Sequence, residues 1–189
     1  MPCRLIAIGG SLGALKALEV VLGGLPRSLA VPVVVVLHRD EGDPSDLAAW
    51  LDRACLLPVS EVEDKEAVLA GHVYIAPAGY HTLLDDGWFS LSTEPQVNIA
   101  RPSIDVLFES AADAYGAGVV AVVLTGASAD GARGAGRVVE RGGSVIVQDP
   151  ATARAGLMPR AAAEAAPACK VMPLERIAPY LVEFCRKSG

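Results

Sequence analysis

Three side chains of complementary chemistry stand just past short aliphatic runs: Ser11 after Leu5 to Gly9, His38 after Val33 to Leu37, and Asp130 beyond Val119 to Leu124. A serine hydroxyl is a weak nucleophile. It needs an imidazole to take its proton, and the imidazole needs a carboxylate on its other nitrogen to fix tautomer and orientation. Ser11, His38 and Asp130 supply one group of each kind, and the chemistry they point to is acyl transfer through a serine ester. Each also has a plainer role. A lone histidine at a strand end commonly satisfies its nitrogens within the fold, and Asp130 can serve as the cap of a helix opening at Ala132. The remaining histidines, His72 and His81, read as side chains with local hydrogen bonds.

The segment Gly9-Gly10-Ser11-Leu12-Gly13-Ala14 is a glycine-rich turn between a strand and a helix. It matches fragments of dinucleotide-binding turns but lacks their full spacing, and the second strand ends on His38 where an acid would hold a ribose hydroxyl. An anion- or nucleotide-binding turn and a purely structural turn therefore stay open beside the nucleophile reading. A serine there lies at a helix N-terminus, near free N–H groups and the positive end of the helix dipole. That setting suits a reaction that develops an oxyanion.

The elements that must position these groups are legible as alternating strands and helices. Leu5 to Gly9, Val33 to Leu37, Val73 to Ala76, Val119 to Leu124 and Ser144 to Val147 are continuous apolar runs, as in strands covered on both faces of a parallel sheet. Leu15, Leu18, Val21, Leu22 and Leu25 recur at helical spacing, with Gly23 and Gly24 as a stop. Asp43 and Pro44 read as the cap and first-turn proline of the next helix, striped by Leu47, Trp50, Leu51 and Ala54. Ser103 can cap a helix carrying Ile104, Leu107, Phe108, Ala111 and Tyr115; a further helix follows Asp130, has Arg133, Arg137 and Arg141 as a polar row, and ends at Gly142-Gly143. Asp86-Gly87 between strand-like flanks predicts an antiparallel hairpin near 81–93. Pro179 interrupts the last apolar pattern and predicts a short turn followed by a helix. The expectation is a single α/β domain over 1–189, doubly wound, with a mostly parallel sheet and helices on both faces.

Composition narrows the partners. The chain has 189 residues, 52% hydrophobic and 20% charged, enough apolar side chains for one sizeable core. A net charge of 16 − 22 = −6 disfavours nucleic acid and anionic membranes as partners. The longest apolar runs, 29–37 and 116–124, fall short of the roughly 20 residues that span a bilayer, and the N-terminus lacks a signal-type apolar core. A cytoplasmic protein without membrane insertion is expected. Cys3, Cys55, Cys169 and Cys185 show no C-x-x-C spacing and read as reduced packing residues, with no metal site.

The ordered blocks Ile6-Ala7-Ile8-Gly9-Gly10-Ser11-Leu12-Gly13-Ala14, Val35-Val36-Leu37-His38, 69–77, 101–108, Leu124-Thr125-Gly126-Ala127-Ser128-Ala129-Asp130 and Gly156-Leu157-Met158-Pro159 resemble the catalytic domain of the CheB-type chemotaxis methylesterases. The resemblance runs from about Arg4 to Phe184. It implies hydrolysis of glutamate γ-methyl esters, and deamidation of glutamines, on the cytoplasmic helices of methyl-accepting chemoreceptors. It places the nucleophile on Ser11, the base on His38 and the carboxylate on Asp130, with no metal or cofactor. Where the family usually has Thr after the nucleophile and Gly two places on, this chain has Leu12 and Ala14; Ala127 and Ser128 are further departures. An oxyanion hole from the backbone N–H groups of Leu12 and Ala127 survives such changes. Arg101 is the candidate for docking an acidic receptor segment. The family often carries a phosphoacceptor receiver domain, whereas this chain begins at the first catalytic strand, as either a stand-alone enzyme or an excised domain; a monomer, with a separate receiver protein as a partner, is the expectation. The rivals are an anion- or nucleotide-binding module and a degenerate esterase that only docks receptors.

Overall fold

In the computed structural model, which describes residues 2–42 and 45–188, the apolar runs become strands of one parallel sheet. Its strands are β1 (Leu5–Gly10), β2 (Val33–Leu37), β3 (Val59–Glu61), β4 (Val73–Ile75), β7 (Val119–Val123), β8 (Ser144–Gln148) and β9 (Lys170–Met172). Their order is β3-β4-β2-β1-β7-β8-β9 and every pairing is parallel. Between β4 and β7, β5 (His81–Asp85) and β6 (Trp88–Ser92) form the expected hairpin as a separate two-stranded sheet. Its turn residues Asp86 and Gly87 both have positive φ, as a two-residue hairpin loop requires.

The continuous apolar runs reflect helices on both faces. Ile6 and Ile8 of β1, Val33 and Val35 of β2, and Val120 and Val122 of β7 point into one core, with α1 (Ala14–Gly23), α2 (Leu47–Asp52) and α6 (Leu174–Ser188). Leu5, Ala7, Val34, Val36, Val119, Ala121 and Val123 point into the other, with α3 (Ile104–Tyr115), α4 (Ala132–Glu140), α5 (Leu157–Ala165) and the hairpin's Leu84 and Phe89. Each buried Val or Ile contributes about 1.5–3 kcal/mol relative to exposure, so neither face can be turned to water.

Several boundaries differ from the sequence reading. Asp43 and Pro44 lie outside the described residues; α2 begins at Leu47, and the Asp46 carboxylate accepts from Ala49 N–H at 2.9 Å as its cap. The short strands β3 and β9 lack a long apolar run because each is an edge strand with partly exposed residues. Pro179 does not divide the last segment: α6 runs through it. Ile177 and Leu181 are fully buried, and Ala178 sits against Gly24, so packing on α1 outweighs the single backbone bond that proline removes. The arginine row of α4 pairs across to α3, Arg133 with Glu109 and Arg137 with Asp113, a set of exposed bridges that contributes little to stability.

The close approach of β1 to α3 depends on Gly9. A Cβ there would stand 2.3 Å from Ile104 Cγ2. Gly9→Ala is expected to lower stability by about 1–3 kcal/mol, read as a shift in the urea midpoint. Adding Ile104→Leu, which removes the Cγ2 branch at Cβ while keeping the side-chain volume, should recover part of that loss if the clash is its cause. A double variant with no recovery would assign the cost to the strand itself.

Candidate active site

β1 lies between β2 and β7, and the chain enters β2 from α1 on one face of the sheet and β7 from α3 on the other. The carboxyl ends of these three strands therefore border the switch-point crevice, where ligands of open α/β sheets bind. Ser11 follows β1, His38 follows β2, and Asp130 lies on the loop after β7. The expected elements thus bring all three expected side chains to one place.

The Ser11 turn is held by backbone bonds. Ser11 N–H donates to Thr125 O at 3.0 Å, and His38 N–H donates to Gly10 O at 3.2 Å. Thr125 Oγ1 donates to Leu12 O at 2.9 Å and accepts from Ala155 N–H at 2.9 Å, while Thr125 N–H is bound by the buried Gln148 Oε1. Gly13 caps α1 with φ 84, a left-handed conformation that admits glycine without strain, and Arg154 lies across it. The N–H groups of Leu12 and Ala127 have no hydrogen-bond partner among the described residues. They are available donors on the loops after β1 and β7.

His38 and Asp130 are joined directly, Nε2 to Oδ2 at 2.7 Å, with the histidine side chain 18% exposed and the carboxylate wholly buried. Nε2 donates to the carboxylate, which leaves Nδ1 as the basic nitrogen of the ring. Asp130 takes four further bonds at the N-terminus of α3. Oδ2 accepts from Ile104 N–H at 2.7 Å, and Oδ1 accepts from Ser103 Oγ at 2.8 Å, Asp105 N–H at 3.1 Å and Asn98 Nδ2 at 3.1 Å. Burial alone would raise its pKa. The bonds from His38, Ile104, Asn98 and Ser103 outweigh burial and hold Asp130 below the ordinary carboxylate range. Asp130 is therefore no cap of its own helix α4; it fills the amide-rich end of α3, where the dipole favours an anion.

Two residues of this network carry no sequence signal. Asn98 Nδ2 also donates to Asp105 Oδ2 at 2.8 Å, bridging two carboxylates. Asp105 accepts from Gly134 N–H at 2.8 Å, and its pKa is raised, first by burial and then, against that hydrogen bond, by the nearby Asp130 charge. Ser103 was expected to cap α3 with its hydroxyl; instead that hydroxyl serves Asp130, and no side-chain cap bond forms.

Ser11 and His38 line one cleft of about 430 Å³ with Arg39, Asp40, Glu41, Gln96, Ile99, Ala100 and Arg101. No hydrogen bond links the Ser11 hydroxyl to His38 among the described residues; catalytic bonds of this kind often close only around substrate. Arg101 borders the cleft, but its guanidinium is engaged: it donates to Thr93 O at 2.8 Å, to Glu94 O at 3.2 Å and to Glu41 Oε2 at 3.1 Å. The other histidines have structural partners. His72 Nε2 lies 2.8 Å from Ser60 Oγ, and buried His81 donates to Pro95 O while accepting from Ser103 N–H. A larger cavity of about 580 Å³, lined among others by Lys16, Glu19, Trp50, Thr125, Thr152 and Arg154, has no serine, cysteine or histidine among the described residues of its wall, whereas the smaller cleft has Ser11 and His38.

A doubly wound parallel sheet whose switch point gathers a serine, a histidine and a buried carboxylate is the arrangement of a serine-dependent hydrolase. The family model for the CheB methylesterases matches residues 6–181, and the chain belongs to that family. A protein from Leptospira interrogans is 42% identical over 180 residues, 95% of this chain and 93% of its own, and bears a provisional name for a protein-glutamate methylesterase/protein-glutamine glutaminase. Protein-glutamate methylesterase/protein-glutamine glutaminase 2 of Cupriavidus metallidurans is 41% identical over 96% of this chain, which spans 54% of that relative. The crystal structure of the Thermotoga maritima CheB methylesterase catalytic domain superposes with a TM-score of 0.91 at 35% identity, covering 97% of this chain and 99% of that one. The fold expected from the sequence and the family resemblance are both borne out. All four cysteines are free; Cys3 is buried and Cys55, Cys169 and Cys185 are half-buried. No helix among the described residues is long and apolar enough to cross a membrane.

Proposed function

We propose that this chain hydrolyses the γ-methyl esters of protein glutamates, and deamidates the corresponding glutamines, through Ser11, His38 and Asp130. The observation that carries this reading is the 2.7 Å bond between His38 and the buried Asp130 in the cleft that Ser11 lines. His38 Nδ1 takes the Ser11 proton as Oγ attacks the γ-carbonyl; the oxyanion is met by the Leu12 and Ala127 N–H groups. Methanol leaves with the proton from His38. Water, deprotonated by the same ring, then attacks the acyl-serine and releases the glutamate carboxylate. These steps call on no metal or cofactor. The substrates are the cytoplasmic helices of methyl-accepting chemoreceptors, reached by a monomer in the cytoplasm under a separate receiver protein. The test is methanol release from a methyl-esterified receptor fragment with the wild-type chain and with Ser11→Ala, alongside labelling by a fluorophosphonate. An anion-binding module or a degenerate docking domain would show neither release nor Ser11 labelling.

Arg101 acts here by holding the cleft wall. Its guanidinium ties the 93–94 strand exit to Glu41 on the loop after His38. Arg101→Ala should raise KM for the receptor fragment by roughly three- to tenfold with a smaller change in kcat. Glu41→Gln separates holding from direct docking of an acidic segment: a rise in KM supports the tie, and a fall, from releasing the cation to the substrate, supports docking.

A further inference from the structure

Residues 97–100 form a two-residue hairpin beside the catalytic cleft. Val97 N–H donates to Ala100 O at 3.1 Å, and Ala100 N–H returns the bond to Val97 O at 3.0 Å. The central residues Asn98 and Ile99 have φ of 52° and 62°. A turn of this kind requires positive φ at both central positions and is normally met by Asn-Gly. Asn98 fits. Ile99 does not: a β-branched side chain in the left-handed region costs about 1–2 kcal/mol relative to ordinary backbone. Among the described residues it is the one β-branched residue with positive φ.

No packing of the Ile99 side chain offsets that cost. Ile99 is 92% exposed, so its side chain packs on no core. The turn cannot swing to relieve it, because the Asn98 amide is anchored on Asp130 and Asp105. The residue that steadies the carboxylate of His38 therefore also fixes Ile99 at the mouth of the cleft lined by Ser11 and His38. A strained residue held by its surroundings at such a place marks a function. A cleft of about 430 Å³ has room for an esterified side chain but not for the folded segment that carries it, which must lie across the mouth. Apart from the buried Ala100, the other side chains of the cleft, among them Arg39, Asp40, Glu41, Gln96 and Arg101, are polar.

We propose that Ile99 is a specificity-determining contact, pressing on apolar side chains that flank the ester-bearing glutamate in the substrate protein. This rests on the esterase reading above. It is tested with two synthetic peptides that each carry one glutamate γ-methyl ester and differ only in neighbours, Leu and Ala in one, Ser and Asn in the other. The wild-type chain should show a KM roughly five- to tenfold lower for the apolar-flanked peptide, the worth of a partly buried aliphatic contact. Ile99→Gly should erase the preference by raising that KM, while Tm rises by roughly 2–4 °C as the turn relaxes. Ile99→Leu should keep the preference. Methanol from both peptides at equal KM in the wild type, an unchanged preference in Ile99→Gly, or a lowered Tm in that variant overturns this inference alone. No methanol from either peptide overturns the esterase reading, and this one with it.

Discussion

Ser11→Ala lowers methanol release by about 10⁴-fold or more, His38→Ala does so to a similar extent, and the double variant is no worse than the more damaged single one. The non-additivity follows from the chemistry. His38 Nδ1 has nothing to deprotonate once the Ser11 hydroxyl is gone, and Ser11 without its base is an ordinary alcohol. What remains in each variant is the activity of the oriented cleft and any backbone donors around it, and that residue is common to all three. Steady-state release from a methylated receptor fragment, with circular dichroism to confirm that each variant is folded, measures the effect. Folding of Ser11→Ala is expected because Ser11 is only half-buried and its hydroxyl bonds to nothing among the described residues, and folding of His38→Ala because Asp130 keeps its four other donors, Asn98, Ser103, Ile104 and Asp105. If the single losses multiplied in the double variant, Ser11 and His38 would be acting independently, and the assignment of nucleophile and base would have to be abandoned.

The sequence carried the site as far as its three reactive groups because each follows a strand, and strand ends in a doubly wound sheet converge at the switch point. Valine-rich runs such as Val33 to Leu37 could be read as strands covered on both faces without any partner being known. The hairpin was legible through Asp86-Gly87, a local signal. The supports of Asp130 were not, for a physical reason: Asn98, Ser103 and Asp105 reach it from 25 to 32 residues away in the chain, and no periodicity or turn rule relates such positions. Ser103 illustrates the ambiguity. Its place before Ile104 is right for a cap, yet a buried anion competes for the same hydroxyl and takes it. Pro179 shows the same limit from the other side, where packing of Ile177, Ala178 and Leu181 overrode a local breaker. Arg101 lines the same cleft as Ser11 and His38, but the sequence carries no sign that its guanidinium is already occupied by Thr93 and Glu41.

Asp130→Asn is the substitution with the largest expected cost in stability, about 3–5 kcal/mol. Every group that faces Asp130 is a donor: the His38 ring, the Asn98 amide, the Ser103 hydroxyl and the N–H groups of Ile104 and Asp105. An asparagine must turn its own NH₂ toward one set of them. If that set contains His38, the ring can change tautomer, but the Ile104 N–H on the same oxygen cannot; on the other oxygen the Asp105 N–H is equally fixed. A buried donor is then left facing a donor, the charge that satisfied the start of α3 is gone, and His38 is no longer held for Ser11. Turnover should fall by about 10⁴-fold for that last reason. The pH dependence identifies the cause of the stability loss. Asp130 is held below the usual carboxylate range in the folded chain, so its stabilisation is complete above the unfolded aspartate value of about 4 and is lost as pH falls through the folded value. The gap in urea midpoint between wild type and Asp130→Asn should therefore be constant near neutrality and close in acid. Asp105 has the opposite sign. Its folded value is raised, first by burial and also by Asp130, so the stability it lends is present at low pH and is lost as pH rises through that value. Asp105→Asn should thus narrow its gap from wild type as pH rises, where Asp130→Asn narrows its gap as pH falls. Two parallel gaps, unchanged across acid pH, would mean that neither carboxylate titrates as the geometry at the α3 N-terminus requires.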